Sequence, residues 1–293
     1  MKDAARLLAY LAATLLIGAL LAPPLFWAAQ WLAAHQIFAF LAGYDFEKFF
    51  HRALLIAALL LLWPLLRSLK IRSWSELGLQ PNEHRSRDLL AGFLLAITPL
   101  LCCGAFLLVF GGYSIRNTVR WSNAGTVVIA SVFVPLIEEL FFRGLTLGIL
   151  MRSASRMTAV IVTSIFFAII HFLKAPEESS TAVTWASGFI SMGHSLDQFR
   201  ELFLVLGGFT TLFLLAIVLA YARLRTRSLA LPIGLHSGWI LGAGFFNIIA
   251  RQRGIDLPWV GKSLLVGIVP LSVALLTWLL LHVWLNHVAS RAT

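Results

Sequence analysis

The sequence Val134-Pro135-Leu136-Ile137-Glu138-Glu139-Leu140-Phe141-Phe142-Arg143-Gly144 places three charged residues inside an apolar run from Gly125 to Leu150. A run of that length spans a bilayer as a helix. A charge near the middle of such a helix is costly and almost always faces a bundle interior or a water-filled cavity. Glu139 and Arg143 are four residues apart and lie on one helical face, where they can pair. Glu138 points about 100° away from Glu139, so one carboxylate has a partner and the other does not.

Two interpretations of this stretch compete. An ion pair that holds helices together explains Glu139 and Arg143 but leaves Glu138 without a role. A functional site explains all three charges. Pro135, one turn upstream, adds a second polar irregularity at this depth, because it leaves the carbonyl of Ser131 without its helical donor. We therefore predict that the stretch belongs to a functional site.

The composition is that of a helical membrane protein. Of the 293 residues, 59% are hydrophobic and only 12% are charged, and the mean hydropathy is +0.87. Soluble domains are closer to half apolar and a quarter charged. The net charge of +10 comes from basic residues in short loops, as expected beside an anionic leaflet. We predict an all-α, polytopic protein whose partner is the lipid bilayer, and no basic-aromatic surface suggests nucleic acid.

The apolar runs predict about eight transmembrane helices in a single membrane domain, 1–293. Pro23-Pro24 follows the first run without an Ala-x-Ala cleavage site, so we expect that helix to be retained. Leu25 to Ala42 is interpreted as its interfacial continuation, with a second crossing, which would invert the topology, as the alternative. The predicted spans are Leu7–Ala22, Phe50–Leu66, Leu89–Phe110, Gly125–Leu150, Met157–Leu173, Leu202–Ala222, Leu229–Ile249 and Leu264–Val288.

An even number of spans places both termini on one side of the membrane. The loops on that side hold the larger share of the lysines and arginines, which favours a cytoplasmic location for both termini. We expect an integral protein of a bacterial inner (plasma) membrane. The long loop from Lys174 to Arg200 lies on the opposite side, and we interpret it as a surface segment, with a lid as the alternative.

Two histidines lie within predicted spans at a depth similar to that of the charged stretch. Measured from the nearest arginine-rich loop at about 1.5 Å per residue, Glu138, His171 and His236 lie roughly 21, 22 and 14 Å into the membrane. A lone buried histidine is more often a hydrogen-bonded core residue than a ligand. Three such groups at similar heights on three helices instead predict one site, and Gly234 and Gly238 allow a neighbouring helix to come close there.

A carboxylate with two imidazoles supports two kinds of hydrolytic chemistry. These groups can hold a divalent metal, zinc above all, with one position open for water. Alternatively, the carboxylate acts as general base on a water that the imidazoles position, while they stabilise the oxyanion. No His-Glu-x-x-His motif of a zincin helix is present. An ion-coupled transporter could use the same groups as a relay, but no inverted repeat of broken helices is evident.

These residues resemble the CPBP family of intramembrane proteases, the group of CAAX proteases and bacteriocin-processing enzymes also called the Abi domain. The family pattern is Glu-Glu-x-x-x-Arg, Phe-x-x-x-His and His-x-x-x-Asn on three helices. Glu138-Glu139-x-x-x-Arg143 matches the first motif, Phe167-x-x-x-His171 the second, and His236 the histidine of the third. The similarity covers roughly 122–250, the predicted catalytic core, and Leu77-Gly78-Leu79 is similar to the family's usual cytoplasmic loop.

The resemblance implies a membrane-embedded endopeptidase of the metallo- or glutamic type. Glu138 would activate the attacking water, while Glu139 and Arg143 would orient it. His171 and His236 would be partners of the water and the oxyanion, or would bind a divalent metal such as zinc together with Glu138. The implied substrates are peptides or proteins at the membrane, of the CAAX type or bacteriocin and leader peptides.

One position departs from the family pattern, since Ile240 stands where the family has its asparagine. Isoleucine cannot bind a metal or an oxyanion, and Asn247 lies about 16 Å beyond His236 along the helix. Ser237 or the indole N–H of Trp239 is the candidate replacement donor. The departure also supports an alternative function, that of a non-catalytic immunity or scaffold protein on the same fold.

Overall fold

The computed structural model describes residues 2–77, 81, 83–119, 121–172, 182–261 and 263–290. The chain forms two compact units, one of Met1–Arg72 with Phe172–Arg200 and one of Ser73–His171 with Glu201–Thr293. The predicted core, 122–250, therefore draws on both units, and the single membrane domain stays a prediction. Gly78 and Leu79 of the family-like loop, and the first part of the loop 174–200, lie outside the described residues.

Helices dominate both units. Numbered in chain order they are α1 Lys2–Ala34, α2 Phe46–Ser68, α3 Arg85–Val109, α4 Ala124–Glu139, α5 Leu147–Met151, α6 Arg156–Phe172, α7 Ser187–His194, α8 Leu202–Leu204, α9 Thr210–Thr226, α10 Ala230–Ile249 and α11 Leu271–Ser290. Two π-helical segments make continuous rods of neighbouring helices: Leu140–Thr146 joins α4 to α5, and Val205–Phe209 joins α8 to α9.

The prediction of an all-α polytopic membrane protein is confirmed. Within the described ranges, six helices are long and apolar enough to cross a membrane: Lys2–Ala34, Phe46–Ser68, Arg85–Val109, Trp121–Met151, Leu202–Thr226 and Leu271–Val288. The shorter apolar helix α6 and the largely buried α10 bring the set close to the eight predicted.

The first unit contains α1, α2 and α7. α1 continues through Pro23-Pro24 to Ala34, so the predicted interfacial continuation begins as part of the same helix. Ala19 and Ala22 of α1 pack against Phe46 and Phe50 of α2. Small residues at this contact let the aromatic rings of the neighbouring helix fill the space between the two backbones.

The second unit has an apolar core in which α3, α9, α10 and α11 meet. α3 and α10 cross with their backbones in contact, because glycines line the crossing. A Cβ at Gly234 would collide with the carbonyl of Leu89, and one at Gly238 would lie 2.5 Å from that of Phe93. The close approach expected near His236 from these two glycines is therefore confirmed, with α3 as the neighbour.

A two-stranded antiparallel ladder closes one end of this unit. β1, Tyr113–Ile115, pairs with β2, Ala250–Gln252. Arg116 Nε donates to the carbonyls of Asn247 and Ala250, at 3.2 and 3.0 Å, and so satisfies the last turn of α10. The Tyr113 hydroxyl donates to the carbonyl of Gly261 at 2.6 Å. Burial raises the pKa of Tyr113 to about 12, so the phenol stays protonated as a donor at neutral pH.

The last predicted span, Leu264–Val288, begins too early. α11 starts only at Leu271, because the preceding apolar residues form turns. Gly267 has φ +129°, a conformation that side chains other than hydrogen rarely adopt, and its N–H donates to the carbonyl of Gly207 at 2.9 Å. Hydrophobicity alone did not reveal this break in the helix.

Candidate active site

α4 turns a narrow stripe of its surface inward. Ser131, Pro135 and Glu139, four residues apart in succession, are its buried residues, and the residues between them are more exposed. Glu139 therefore points into the unit, whereas Glu138, the next residue round the helix, keeps a side chain that is 25% exposed. This is the separation of the two carboxylates that the sequence predicted.

The helix becomes a π-helix directly after Glu139. The wider turn inserts an irregularity into the rod at the position of the charges, and such segments are frequent at functional sites. Pro135 lies in the turn before it and lacks the N–H that a regular helix would donate to Ser131. The π-helical segment was not foreseen from the sequence, in which only Pro135 signals an irregular helix.

Glu139 and Arg143 form a fully buried ion pair. Arg143 Nη1 donates to Glu139 Oε1 at 2.9 Å, and neither side chain is exposed. Arg143 Nη2 donates to the backbone carbonyl of Ala216 on α9 at 3.2 Å. The guanidinium also lies over the ring of Phe167, 4.5 Å from its centroid, a favourable cation–π contact. The predicted pairing is present, and it is anchored to two further helices.

His236 is oriented by the same carboxylate. Its Nδ1 lies 2.9 Å from Glu139 Oε1, and both groups are buried. A carboxylate in an ion pair with arginine can only accept, so Nδ1 carries the proton and donates it. In the neutral ring Nε2 is then the unprotonated nitrogen, and it lies 3.9 Å from Glu138 Oε2.

His171 is oriented in the same sense by a different acceptor. Its Nδ1 lies 2.8 Å from the carbonyl of Phe167, one turn earlier in α6. A carbonyl oxygen accepts and never donates, so the proton again sits on Nδ1. Nε2 of His171 is left to face Glu138 Oε2 at 3.6 Å. The two imidazoles thus present the same nitrogen to the same carboxylate oxygen.

Glu138, His171 and His236 converge, as the depths of the three residues predicted. If both rings are neutral, all three groups are acceptors at the point where they meet. The buried Glu138 Oε2 has no hydrogen-bond partner among the described residues. A water has only two protons for three acceptors. With Glu138, Glu139 and Arg143 charged and both imidazoles neutral, the cluster also carries one net negative charge. The arrangement therefore attracts a cation or a proton.

The residues fit a divalent metal by the type of donor atom. Two imidazole nitrogens and one carboxylate oxygen form a typical catalytic zinc set. The separations of 3.6 and 3.9 Å exceed the roughly 3.3 Å between ligand atoms in tetrahedral zinc with bonds near 2.0 Å. They are shorter than the roughly 4.5 Å between two acceptors that share a water at about 2.8 Å. Consistently, no group of three such side chains in the described ranges stands at metal-binding geometry.

If both rings are neutral, the predicted role of the histidines at the oxyanion changes. A neutral imidazole whose Nδ1–H is already donated offers only a lone pair at Nε2. In this state neither His171 nor His236 can donate to an oxyanion. Either ring would have to gain a proton, or a cation would have to bind, before charge on an attacked carbonyl is stabilised at this point.

Ile240 and the candidate replacements for the family's asparagine all lie on α10. Ile240 is half-buried, and so is Ser237. The indole Nε1 of the buried Trp239 has no hydrogen-bond partner in the described part of the chain. Asn247 lies at the far end of α10, where its backbone carbonyl accepts from Arg116.

Sequence reasoning missed the groups that hold the charged residues in place. The carbonyl of Ala216 and the ring of Phe142, which packs against Phe167 with centroids 5.0 Å apart, carry no signal in the sequence. Phe167 was noted only as part of a motif. Its ring lies 4.3 Å from that of His171 and beneath Arg143, so the motif spacing places one aromatic residue against two functional groups.

Comparison with known proteins points in the same direction. Residues 120–241 match a protein family described as Type II CAAX prenyl endopeptidase Rce1-like. This range is less than half of the chain and holds all five predicted site residues, Glu138, Glu139, Arg143, His171 and His236. The resemblance to intramembrane proteases of the CPBP type is thereby confirmed at the level of the family. No curated protein and no solved structure matches the chain.

Proposed function

We propose that this protein is an intramembrane endopeptidase in which Glu138 activates the attacking water. The observation that carries the proposal is the meeting of Glu138 Oε2 with the Nε2 atoms of His171 and His236, at 3.6 and 3.9 Å. The Glu139–Arg143 ion pair does not include Glu138, so an ion pair between helices does not account for its position beside two imidazoles. The match to an endopeptidase family supports the same reaction.

In the proposed reaction, Glu138 Oε2 and the Nε2 atom of a histidine separate to about 4.5 Å to admit a water between them, and this water gives a proton to Glu138 Oε2. Its oxygen forms a bond to the carbonyl carbon of the scissile peptide, and the carbonyl π electrons move to oxygen. When the tetrahedral adduct collapses, the C–N bond breaks and Glu138 returns the proton to the leaving amine. The products are a carboxylic acid and an amine, and Glu138 regains its starting state.

Glu139 and Arg143 act as positioning residues in this scheme. Glu139 holds the His236 tautomer through Nδ1–H, and Arg143 neutralises Glu139 while tying α4 to Ala216. If a divalent metal binds, Glu138, His171 and His236 would hold it, and it would supply Lewis acidity toward the water and the carbonyl. Zinc is the metal that this donor set favours.

We further propose substrates that are peptides or proteins held at the membrane, either CAAX-type or bacteriocin and leader peptides. The part-exposed Glu138 lies on the same face of α4 as the exposed Val134, one turn earlier, which suits an apolar chain. In the same proposal, the protein resides in a bacterial inner membrane with both termini in the cytoplasm.

Cleavage by the purified full-length protein tests the proposal. The substrates are fluorogenic peptides with a lipid or transmembrane anchor, presented in nanodiscs. Glu138→Gln keeps the shape of the side chain and removes the base, so we expect the rate to fall by a factor of about 10² or more at unchanged melting temperature. Glu201→Gln, an exposed glutamate at the start of α8, is the matched control and should cleave like the wild type. Equal rates for Glu138→Gln and wild type would favour the non-catalytic scaffold that Ile240 suggests.

The metal content of the purified protein distinguishes the metal-dependent reaction from the metal-free glutamate reaction without a measurement of activity. If the donor set binds zinc, wild-type protein dialysed against zinc should retain it, and both His171→Phe and His236→Phe should lose it. Retention by wild type and both variants alike would place the metal elsewhere. No retention, together with cleavage that a chelator does not inhibit, would favour the metal-free glutamate reaction.

A further inference from the structure

A closed ring of polar side chains joins the C-terminal ends of α9 and α11. Arg225 Nη1 donates to the Tyr221 hydroxyl at 2.7 Å, and Nη2 donates to Asn286 Oδ1 at 3.2 Å. His282 completes the ring, with Nδ1 2.8 Å from the Tyr221 hydroxyl and Nε2 3.0 Å from Asn286 Nδ2. Tyr221 and Arg225 are four residues apart on α9, and His282 and Asn286 are four apart on α11, so each pair lies on one face of its helix. The hydrogen bonds between the pairs show that these two faces meet.

Only one arrangement of protons satisfies every contact in the ring. Asn286 Oδ1 accepts from Arg225, so the amide nitrogen of Asn286 donates to Nε2 of His282. His282 then carries its proton on Nδ1 and donates it to Tyr221. The Tyr221 oxygen receives two N–H groups, and its own O–H has no acceptor among the described residues. The ring is therefore internally complete and retains one hydroxyl donor.

The ring also carries a positive charge that no described carboxylate pairs with. Arg225 is exposed, and two of its five N–H donors are used inside the ring. Because those two bonds fix the plane of the guanidinium, its remaining donors present a preformed fork. A fork of this kind, beside a hydroxyl donor, matches an anion with several acceptor oxygens, of which phosphate is the common case.

The position of the ring in the fold indicates what carries that phosphate. Tyr221 and Arg225 lie in the last two turns of the span Leu202–Thr226, and His282 and Asn286 in the last two turns of Leu271–Val288. This is the level of the bilayer interface. Trp278 lies against His282 with ring centroids 5.7 Å apart, and aromatic residues concentrate at this level.

An exposed apolar stripe continues from the ring toward the middle of α11. Leu275, Leu279 and Val283 are all exposed, and their spacing of four places them on one face. A ligand whose phosphate meets Arg225 and whose acyl chain follows this stripe satisfies both surfaces at once. A free phosphate would satisfy only the ring.

We propose that the ring Tyr221–Arg225–His282–Asn286 binds the phosphodiester of an anionic phospholipid. The ring offers no carboxylate to a headgroup amine, so phosphatidylglycerol binds in preference to phosphatidylethanolamine. The C-terminal ends of α9 and α11 carry partial negative charge, so affinity for the phosphate depends on Arg225. No step of the proposed peptidase reaction is involved.

Lipid binding by the full-length protein tests the site. Purified protein in neutral detergent is titrated with phosphatidylglycerol, phosphatidylethanolamine or inorganic phosphate, and bound lipid is counted by native mass spectrometry. We expect phosphatidylglycerol to bind wild type in preference, and Arg225→Gln to weaken that binding about tenfold or more, as loss of a charge-assisted bond does. Arg225→Lys keeps the charge and loses the fork, so it should give an intermediate affinity.

Arg227→Gln is the matched control, because Arg227 is an exposed arginine two residues away and outside the ring. It should bind phosphatidylglycerol like the wild type. Tyr221→Phe removes the free hydroxyl and an internal acceptor, and it should lower the affinity severalfold even if Arg225→Gln fails to fold. Equal losses in Arg225→Gln and Arg227→Gln would reduce the effect to general surface charge and overturn the proposal. Binding of inorganic phosphate as tightly as of the lipid would overturn the assignment to a phospholipid.

Discussion

Glu138 and Glu139 are adjacent in the chain and have opposite surroundings. Glu139 is enclosed and accepts from Arg143 and His236 through one oxygen, whereas Glu138 is part-exposed and faces the Nε2 atoms of two imidazoles. The environment therefore separates a carboxylate that maintains the structure from one that is available for chemistry. The two residues make opposite predictions when each is neutralised.

Glu139→Gln should destabilise the protein far more than Glu138→Gln. Removing the charge of Glu139 leaves Arg143 buried without a counter-ion, and breaking a buried pair in this way costs about 3–5 kcal/mol. Thermal unfolding in detergent, with Glu138→Gln as the comparison, measures the difference. Equal melting temperatures with activity lost only in Glu139→Gln would reverse the two roles.

Ile240→Asn tests the one residue that departs from the family pattern. Ile240 is half-buried on α10, one turn after His236, and an amide there would offer a donor that the neutral imidazoles lack. Since one oxyanion donor is typically worth about 10²–10³ in rate, we expect cleavage to rise severalfold or more. An unchanged rate for Ile240→Asn, with a large loss for Trp239→Phe, would instead assign the donor to the buried indole.

At the scale of the elements, the site depends on two unusual helices. The rod from α4 to α5 carries Glu138, Glu139 and Arg143. It changes to a π-helix directly after Glu139, so Arg143 lies in the π-helical segment. α10 brings His236 to the same place because its glycines let α3 lie directly against it. The height and direction of His236 are thus set by backbone contact, which tolerates little change in side-chain size.

Gly238→Ala should disturb this crossing. The added Cβ would lie 2.5 Å from the Phe93 carbonyl oxygen and 3.0 Å from the Ala96 Cβ, and overpacking of this kind costs about 1–3 kcal/mol. We expect a lower melting temperature and weaker cleavage, since His236 lies less than one turn away. Gly148→Ala is the control, because a Cβ there meets nothing within 4 Å and alanine favours a helix. Equal stability of the two variants would contradict the close crossing.

At the scale of the whole molecule, the chain is a membrane protein whose two compact units are both mainly helical. The excess of basic residues on the side of the termini remains the argument for orientation, because positive loops are retained in the cytoplasm. Ser73 and Thr118 are both exposed. Ser73 lies between α2 and α3 and Thr118 lies between α3 and α4, so the two residues flank the span α3 on opposite sides. These positions allow the orientation to be measured.

We expect Ser73→Cys to be cytoplasmic and Thr118→Cys to be external. In a background that lacks Cys102 and Cys103, an impermeant maleimide added to intact cells should label only Thr118→Cys. In inverted membrane vesicles the same reagent should label only Ser73→Cys. The reverse pattern would place both termini outside, and labelling of both positions from one side would remove α3 as a span.

The sequence by itself determined the class of the protein and the ionisable residues that meet. Charges inside long apolar runs are visible without coordinates, because lipid penalises them whatever the fold, and helical spacing assigns Glu139 to Arg143. Only the tertiary structure decided the π-helical turn, the late start of α11 and the nitrogen that each histidine turns toward Glu138. His171 and the turn before α11 use the backbone carbonyls of Phe167 and Gly207, and a backbone acceptor looks the same in every residue of a sequence. His236 is oriented by Glu139 of another helix, a contact that only the packing of the helices creates.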